Sequence, residues 1–464
     1  MRILIFHGYL LAGTGSNIYN ARLARALVGL GHEVHLLCQD RHPDDQPWVD
    51  AAGDWDGGAL QVRSLHRVRC TVYRPDIGGL LPVYVEDPYE GIEARAFARC
   101  SDAEIARYID ANVAAVREVL EHVRPDLALA NHLVMGPAIL ARALAGSGVG
   151  YAVKVHGSAL EYTVKPDPER FLPYAREGVR AAAGVLVGSG HTARSLWAAL
   201  GDPAVEARTR LGPPGVDVEL FKPLPARRRP AEPAVAFVGK LIVNKGVDLL
   251  IAAWPLVLER VPRARLEIVG FGGDREWLEC LTNTLAAGRI EEAGGGARRH
   301  LLAFLDDLRG ARRERYVAAA RALPERVRFV GRYEHDRLAE LLPRCEALVV
   351  PSTFPEAFGM VAVEGAACGA LPVSAAHSGL AEVSAALARA VPAPAAGWLS
   401  FPVDDHAVPA IAERVVGWLE SDPQLRERTR TALVGTVRER WSWEGVARGV
   451  IAAARGELEW LPAP

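Results

Sequence analysis

Glu356 and Glu364 stand in the segment Pro351-Ser-Thr-Phe-Pro-Glu356-Ala-Phe-Gly359-Met-Val-Ala-Val-Glu364-Gly-Ala-Ala-Cys-Gly369. An apolar run from Ala347 to Val350 predicts a buried strand, and a helix begins near Gly359. Glu356 then falls on the connecting loop, where a sugar hydroxyl can reach it. Glu364 falls on the first turns of the helix, where it can bind a neighbouring polar ring. The amides of Phe358, Gly359 and Met360 have no partner within the helix and point at whatever anion lies between. Sugar, diphosphate and ribose would thus be met in one line. Two carboxylates that merely cap and solubilise a helix show the same spacing by chance. The Pro-Ser before the pair and the Ala-Cys-Gly after it weigh against that plainer reading.

Other clusters lie where a strand gives way to a helix. The turn Gly13-Thr14-Gly15-Ser16-Asn17 lets the backbone approach a ligand, and the helix behind it supplies amides and a positive end. Such a turn is equally an ordinary tight connection. His156, in Lys154-Val-His156-Gly157-Ser158, sits at the carboxyl end of a parallel strand, the edge where ligands gather in open α/β sheets. A lone half-buried histidine is its alternative. In Phe237-Val-Gly239-Lys240-Leu-Ile-Val-Asn-Lys245-Gly246, two lysines at one turn can neutralise a diphosphate, although either alone passes for a surface lysine. Asp54-Trp55-Asp56 resembles a divalent-cation signature but reads as an exposed acidic loop between Gly53 and Gly58, so no metal ligand is expected. His32-Glu-Val-His35 is no zinc motif, since on a strand its histidines face opposite sides.

The elements that must position these groups alternate between β-rich apolar runs and helical patterns, the mark of parallel sheets with crossover helices. Expected strands in the first half are Ile3–Phe6, Val34–Cys38, Leu127–Ala130, Ala152–Val155 and Val185–Val187. In the second half they are Val235–Val238, Leu266–Val269, Val327–Val330, Leu348–Val350 and Pro372–Ser374. The first helix takes Ser16 as its N-cap, Ile18, Leu23, Leu27 and Leu30 as its apolar face, and Gly31 as its stop. Between the halves, Pro213-Pro214-Gly215-Val-Asp217, Pro223, Pro225 and the basic run Arg227–Arg229 read as a linker. The expected architecture is therefore α/β, with two Rossmann-like doubly wound domains facing a cleft: residues 1–222, residues 223–436, and a closing segment 437–464 that packs back on the first domain.

Bulk composition narrows the function. The 464 residues are too many for one core, 50% are hydrophobic and 24% charged, and the net charge is −2. Nothing in that balance marks a nucleic-acid or strongly acidic partner, and none is expected. The cysteines at 38, 70, 100, 280, 345 and 368 form no Cys-x-x-Cys pair and suit reduced thiols in a cytoplasmic protein. No apolar run is long enough to span a bilayer. His7-Gly8 interrupts the amino-terminal apolar run, which reads as a first strand and not as a secretion signal.

Taken in order along nearly the whole chain, these pieces resemble the retaining glycosyltransferases of the GT-B fold, family four of the sequence classification. The resemblance is carried by the Gly-rich first turn, Val-His156-Gly157, Pro-Pro-Gly215-Val-Asp217, Gly239-Lys240 through Lys245-Gly246, Glu356 to Glu364, Ser378-Gly379-Leu-Ala-Glu382 and Trp441-Ser-Trp443-Glu444. It implies that Glu364 holds the ribose hydroxyls, and that Glu356 with the amides of Phe358, Gly359 and Met360 grips the donor sugar and diphosphate. It also implies that Lys245 and Lys240 neutralise the leaving diphosphate and that His156 meets the sugar near the reacting carbon. Gly15 would touch the phosphates, Asn17 would face the acceptor, and Gly331-Arg332-Tyr333 would read the base. His156, Lys245 and Glu356 are the implied catalytic residues.

Three features depart from the family pattern. Lys240 stands where arginine is usual, Ala357 replaces a common glycine, and about sixty charged, helix-prone residues separate Gly270 from Gly331. The expected activity is transfer of a sugar from a nucleotide-diphosphate sugar to a small-molecule acceptor, such as a natural product or a thiol or alcohol metabolite. The nucleotide sugar is a co-substrate, with no further cofactor. The stretch Leu81-Pro-Val-Tyr84-Val-Glu86-Asp-Pro-Tyr89-Glu-Gly91 is expected to help form the acceptor pocket. Alternatives are a nucleotide-sugar epimerase, a phosphorylase-like enzyme, or a non-catalytic sugar-nucleotide-binding protein. Acceptor, base, sugar and oligomeric state stay open at this level.

Overall fold

The computed structural model describes residues 1–13, 15–56, 58–64, 69–85, 91–225, 228–295 and 299–464. The chain divides into two compact units, Met1–Gly215 with Trp443–Pro464, and Val216–Ser442. The divide at Gly215 lies seven residues before the boundary read at 222, and the return at Trp443 six residues after that read at 437. Thr14, residues 86–90 of the expected acceptor stretch and Arg227 of the linker lie outside the described residues.

In the first unit the strands are β1 (Arg2–Phe6), β2 (Glu33–Leu37), β3 (Ala51–Asp56), β4 (Ala59–Ser64), β5 (Cys70–Arg74), β6 (Leu80–Val83), β7 (Glu93–Ala96), β8 (Leu127–Asn131), β9 (Gly150–Val155), β10 (Gly184–Val187) and β11 (Thr209–Leu211). Among the described residues they form a nine-stranded sheet, β11-β10-β9-β8-β1-β2-β5-β3-β4, and a separate β6-β7 pair. Alternation along β1 assigns its two faces. Ile3 and Ile5 share a buried cluster with Leu23, Leu27 and Val450, whereas Leu4 and Phe6 share another with Ile109, Val116 and Ile139. The first cluster holds the helix Gly15–Gly29 and the final helix Trp443–Arg455, and the second holds the helix Asp102–Val123. Beyond the final helix, the Leu211 amide donates to the Pro462 carbonyl at 2.8 Å.

In the second unit β12 (Ala234–Val238), β13 (Arg265–Val269), β14 (Val327–Gly331), β15 (Ala347–Val350), β16 (Leu371–Ala375) and β17 (Ser400–Phe401) are ordered β14-β13-β12-β15-β16-β17. All are parallel. Counted within the unit this is the order 3-2-1-4-5-6 of a dinucleotide-binding half-fold, with its reversal between β12 and β15. The helix Val247–Arg260 is buried almost all round, Trp254 included. A helix apolar on every side needs a cover. The long segment before Gly331 contributes one, because Tyr316 on the helix Gly310–Ala320 is fully buried and donates to the Ala252 carbonyl at 2.9 Å.

Two expectations are corrected. Asp54-Trp55-Asp56 is the end of β3 and not a loop: β3 pairs in parallel with β5 and antiparallel with β4. Asp54 faces Arg74 across that ladder, with Arg74 Nε donating to Asp54 Oδ1 at 2.8 Å. The first helix begins at Gly15, so Ser16 lies inside it rather than capping it. Of the cysteines, Cys280 alone is exposed and the others are buried, none in a disulfide.

Candidate functional site

In an open parallel sheet the crevice for ligands lies outside the strand carboxyl ends where the order reverses. In the second unit this brings together the loops after β12 and β15. The loop after β12 carries Lys240, Lys245 and Gly246, and the loop after β15 carries Ser352 and Glu356. Gly246 has φ +64, and a Cβ there would collide with the Pro351 carbonyl. Glycine is thus required for the two loops to touch. The Thr353 amide donates to the Asn244 carbonyl at 2.9 Å and locks the same junction.

This docking places Lys245 Nζ as a donor to Glu356 Oε1. The Ser352 hydroxyl donates to the same oxygen at 2.6 Å. From the far side, the Glu356 amide donates to Ser378 Oγ at 2.9 Å, and its carbonyl accepts from the Gly379 amide at 2.9 Å. A Cβ on Gly379 would lie 2.7 Å from Ala357 and Phe358 backbone atoms, so the helix Ser378–Ala388 approaches closely through a glycine. His377, on the turn after β16, completes the frame with Nε2 donating to the Ser352 carbonyl at 2.7 Å. Burial pushes the Glu356 carboxyl up, but the Lys245 ammonium and the Ser352 hydroxyl together bring it below the ordinary glutamate value.

The helix Met360–Ala367 starts at Gly359, with φ +110 and no side-chain cap. Phe358 is buried with its ring edge-on to Trp441, 5.9 Å between centroids, so its backbone is the part left to serve a ligand. Glu364 is 3% exposed, and its Oε1 lies 3.3 Å from His335 Nε2. His335 in turn stands edge-on to the buried Phe221 at 5.0 Å. Arg332 is exposed, pairs with Glu334 at 3.0 Å, and lies over the Phe271 ring at 5.1 Å. Here are two cations, a shielded carboxylate pair and an uncapped helix start at one sheet edge, an arrangement suited to a phosphorylated, hydroxyl-rich ligand.

In the first unit the order reverses between β1 and β8, and a second polar cluster occupies the strand ends there. His156 follows β9, and its Nε2 lies 2.8 Å from Asn131 Oδ1 at the end of β8. Its ring is 4.9 Å from both Tyr19 and His132. His7, after β1, stacks on His132 at 6.0 Å. Burial pushes His7 down to about 4 and His132 and His156 well below the usual histidine value, with like charge adding to the effect on the latter two. Lys154 is buried beneath, pushed down to about 7 by burial, and donates to the Gly212 carbonyl at 2.5 Å. Tyr84, from the expected acceptor stretch, lies 4.7 Å from His132 and donates to the Val134 carbonyl.

Asn17 is placed differently from the expectation. It is 2% exposed, its Oδ1 is 2.9 Å from His7 Nε2, and its Nδ2 donates to the Ala12 carbonyl at 2.7 Å. Its amide is engaged in shaping the Gly-rich turn, while Gly15 is exposed at the helix start. His7, Asn131, His132, His335, Ser352 and His377 also belong to these clusters, although no motif marks them as site residues. Apart from His335, each lies at or within two residues of the carboxyl end of a strand, and a polar residue there was the available signal.

The glycosyltransferase family 4 model matches residues 13–220 and the glycosyl transferases group 1 model matches residues 225–432. A glycogen synthase of Mycobacterium tuberculosis is 30% identical over 53% of this chain and 49% of its own length. A D-inositol 3-phosphate glycosyltransferase of Kribbella flavida is 29% identical over 67% of this chain and 65% of its own. The chain thus spans 49% and 65% of the length of these two curated relatives. Among solved structures, sucrose-phosphate synthase from Thermosynechococcus elongatus superimposes with TM-score 0.63 at 20% identity over 99% of both chains. Anabaena HepE, in complex with UDP and glucose, does so with TM-score 0.61 at 16% identity, covering 98% of this chain and 99% of that one. These likenesses give the fold, and the two family matches, one on each unit, place the chain in the family-four, group 1 glycosyltransferases of the GT-B fold.

Proposed function

We propose that the protein is a retaining glycosyltransferase that moves a sugar from a nucleotide-diphosphate sugar to a small hydroxyl-bearing acceptor. The observation that carries this reading is the Lys245–Glu356 pair, held beside an uncapped helix start at the reversal point of β12 and β15. Lys245, with Lys240, offsets the charge that grows on the departing diphosphate, an interaction stronger in the transition state than before it. Amides at Phe358, Gly359 and Met360 bind the same group. Glu356 holds sugar hydroxyls, Glu364 with His335 behind it holds the ribose, and Arg332 lies beside the base. For His156 and Gly15 of the first unit, the family resemblance supports a sugar contact and a phosphate contact. The cations and amides supply the electrophilic help, so turnover is expected to survive EDTA.

A uridine nucleotide is favoured by the HepE complexes, one of which contains UDP-glucose. The relatives named for inositol phosphate and sucrose phosphate favour a small polyol as acceptor. Among the described residues no helix is long and apolar enough to cross a membrane. The six free thiols, all but Cys280 buried, support a cytoplasmic setting. Thermal shift with UDP-, GDP- and ADP-sugars tests the donor assignment, because a ligand that binds only the folded state raises its stability. A rise with one nucleotide series supports the reading, and no rise with any overturns it.

A further inference from the structure

The orientation of one buried amide fixes what His156 can offer a ligand. Asn131 is 1% exposed, and its Nδ2 donates to the carbonyl of Phe6, the last residue of β1, at 3.2 Å. A carbonyl can only accept, so the amide nitrogen faces Phe6 and Oδ1 faces His156. That oxygen lies 2.8 Å from His156 Nε2 and also can only accept, so Nε2 carries the proton. The ring is neutral and holds one proton, which leaves Nδ1 with a lone pair and, among the described residues, no hydrogen-bond partner. The groups facing the ring do not reverse this. His132 and Tyr19 are neutral, His7 is neutral, and Lys154 opposes a second positive charge.

We propose that Asn131 is a positioning residue that locks His156 in the Nε2–H tautomer, so that Nδ1 acts as an acceptor for a hydroxyl of the transferred sugar. The second half rests on the reading of His156 as a sugar contact. The first half stands on the Asn131 geometry together with the neutrality of a buried ring. A group presented to Nδ1 must donate a hydrogen, so a hydroxyl is welcomed and a carbonyl, carboxylate or phosphate oxygen is repelled. Held neutral this way, His156 orients the sugar without removing a proton from it.

Long-range proton–nitrogen NMR on histidine-labelled protein at pH 7.5 tests both halves, with His156 signals assigned by their loss in His156→Gln. The free protein is expected to show the Nε2–H pattern. UDP-glucose is expected to move the Nδ1 signal upfield, and UDP alone to leave it in place. Asn131→Leu should give a mixture of tautomers, and Asn131→Asp should raise the His156 titration by about one pH unit or more. A purely structural role for Asn131 would change stability without moving these signals. Free protein in the Nδ1–H form, or averaged between tautomers, overturns the proposal, and this decides it even if the variants do not fold. Binding of UDP-glucose with Nδ1 unmoved overturns the hydroxyl contact. If UDP-glucose disturbs no histidine or backbone signal, the transferase reading fails and the tautomer assignment is judged by the free spectrum.

Discussion

Lys245 and Glu356, 111 residues apart in sequence, share a charge-assisted hydrogen bond where the loops after β12 and β15 meet. Before any ligand arrives, the ammonium is held by a carboxylate that also accepts from the Ser352 hydroxyl, on a residue whose backbone amide donates to Ser378 Oγ. A diphosphate must therefore compete for a lysine that is already positioned, which limits ground-state gain and favours stabilisation as negative charge develops.

Lys245→Ala should lower kcat roughly a hundred-fold, the usual loss for one such group, while donor affinity changes much less. Steady-state kinetics with the best UDP-sugar and its acceptor separate the two. Intact kcat with a raised KM would remove the lysine from the departing charge.

Glu364→Ala should weaken donor binding about ten-fold or more, since a hydrogen bond to a charged group contributes roughly 1.5–3 kcal/mol. The loss of His335's partner adds to the effect. Calorimetry with UDP-glucose on the folded variant gives the answer, and unchanged affinity places the ribose elsewhere.

Gly246→Ala should destabilise the protein by at least about 1–3 kcal/mol, because the position combines φ +64 with contact against the Pro351 carbonyl. Donor affinity should fall with it, as the Lys245 loop is pushed off the β15 loop. Denaturant midpoints that match the wild type would show that the two loops need not touch.

Lys154 gives a pH signature. Its folded value, pushed down to about 7, lies below the ordinary 10.5. Between those limits the unfolded chain keeps a proton that the folded chain has released, so stability rises with pH across that window. Below about 7 both states are charged and the cost of burial is felt in full. Lys154→Met, lacking the titration, should therefore gain most over wild type near pH 6.5 and progressively less towards pH 9.5. Melting temperatures that differ by a constant amount over this range would contradict the assignment.

The main strands were legible because each is a short apolar run followed by a turn, and the ten expected strands match β1, β2, β8, β9, β10 and β12 to β16 within a few residues. The β3–β4 hairpin was not, since Gly53, Asp54 and Asp56 are poor strand formers. Its partner Arg74 was invisible from local pattern. In the site, Lys245, Glu356 and Glu364 were legible as residue types at strand ends. That Lys245 and Glu356 bind each other was not, because the contact is made by loops that only the sheet order brings together. Asn17 shows the converse: a polar residue in a promising turn whose amide is spent on His7 and Ala12.

The measurement that bears most directly on the central claim is proton NMR of the first product formed from UDP-glucose, with a supplied polyol such as myo-inositol, or water, as acceptor. Inversion needs a general base behind the reacting carbon. His156, its basicity lowered by burial and its Nδ1 lone pair assigned to a hydroxyl of the sugar, is not equipped for that task. The account predicts that the new anomeric proton carries the small coupling of the donor's α configuration. A large, inverted coupling in the first-formed product, or no glucosyl product from any acceptor, would contradict it.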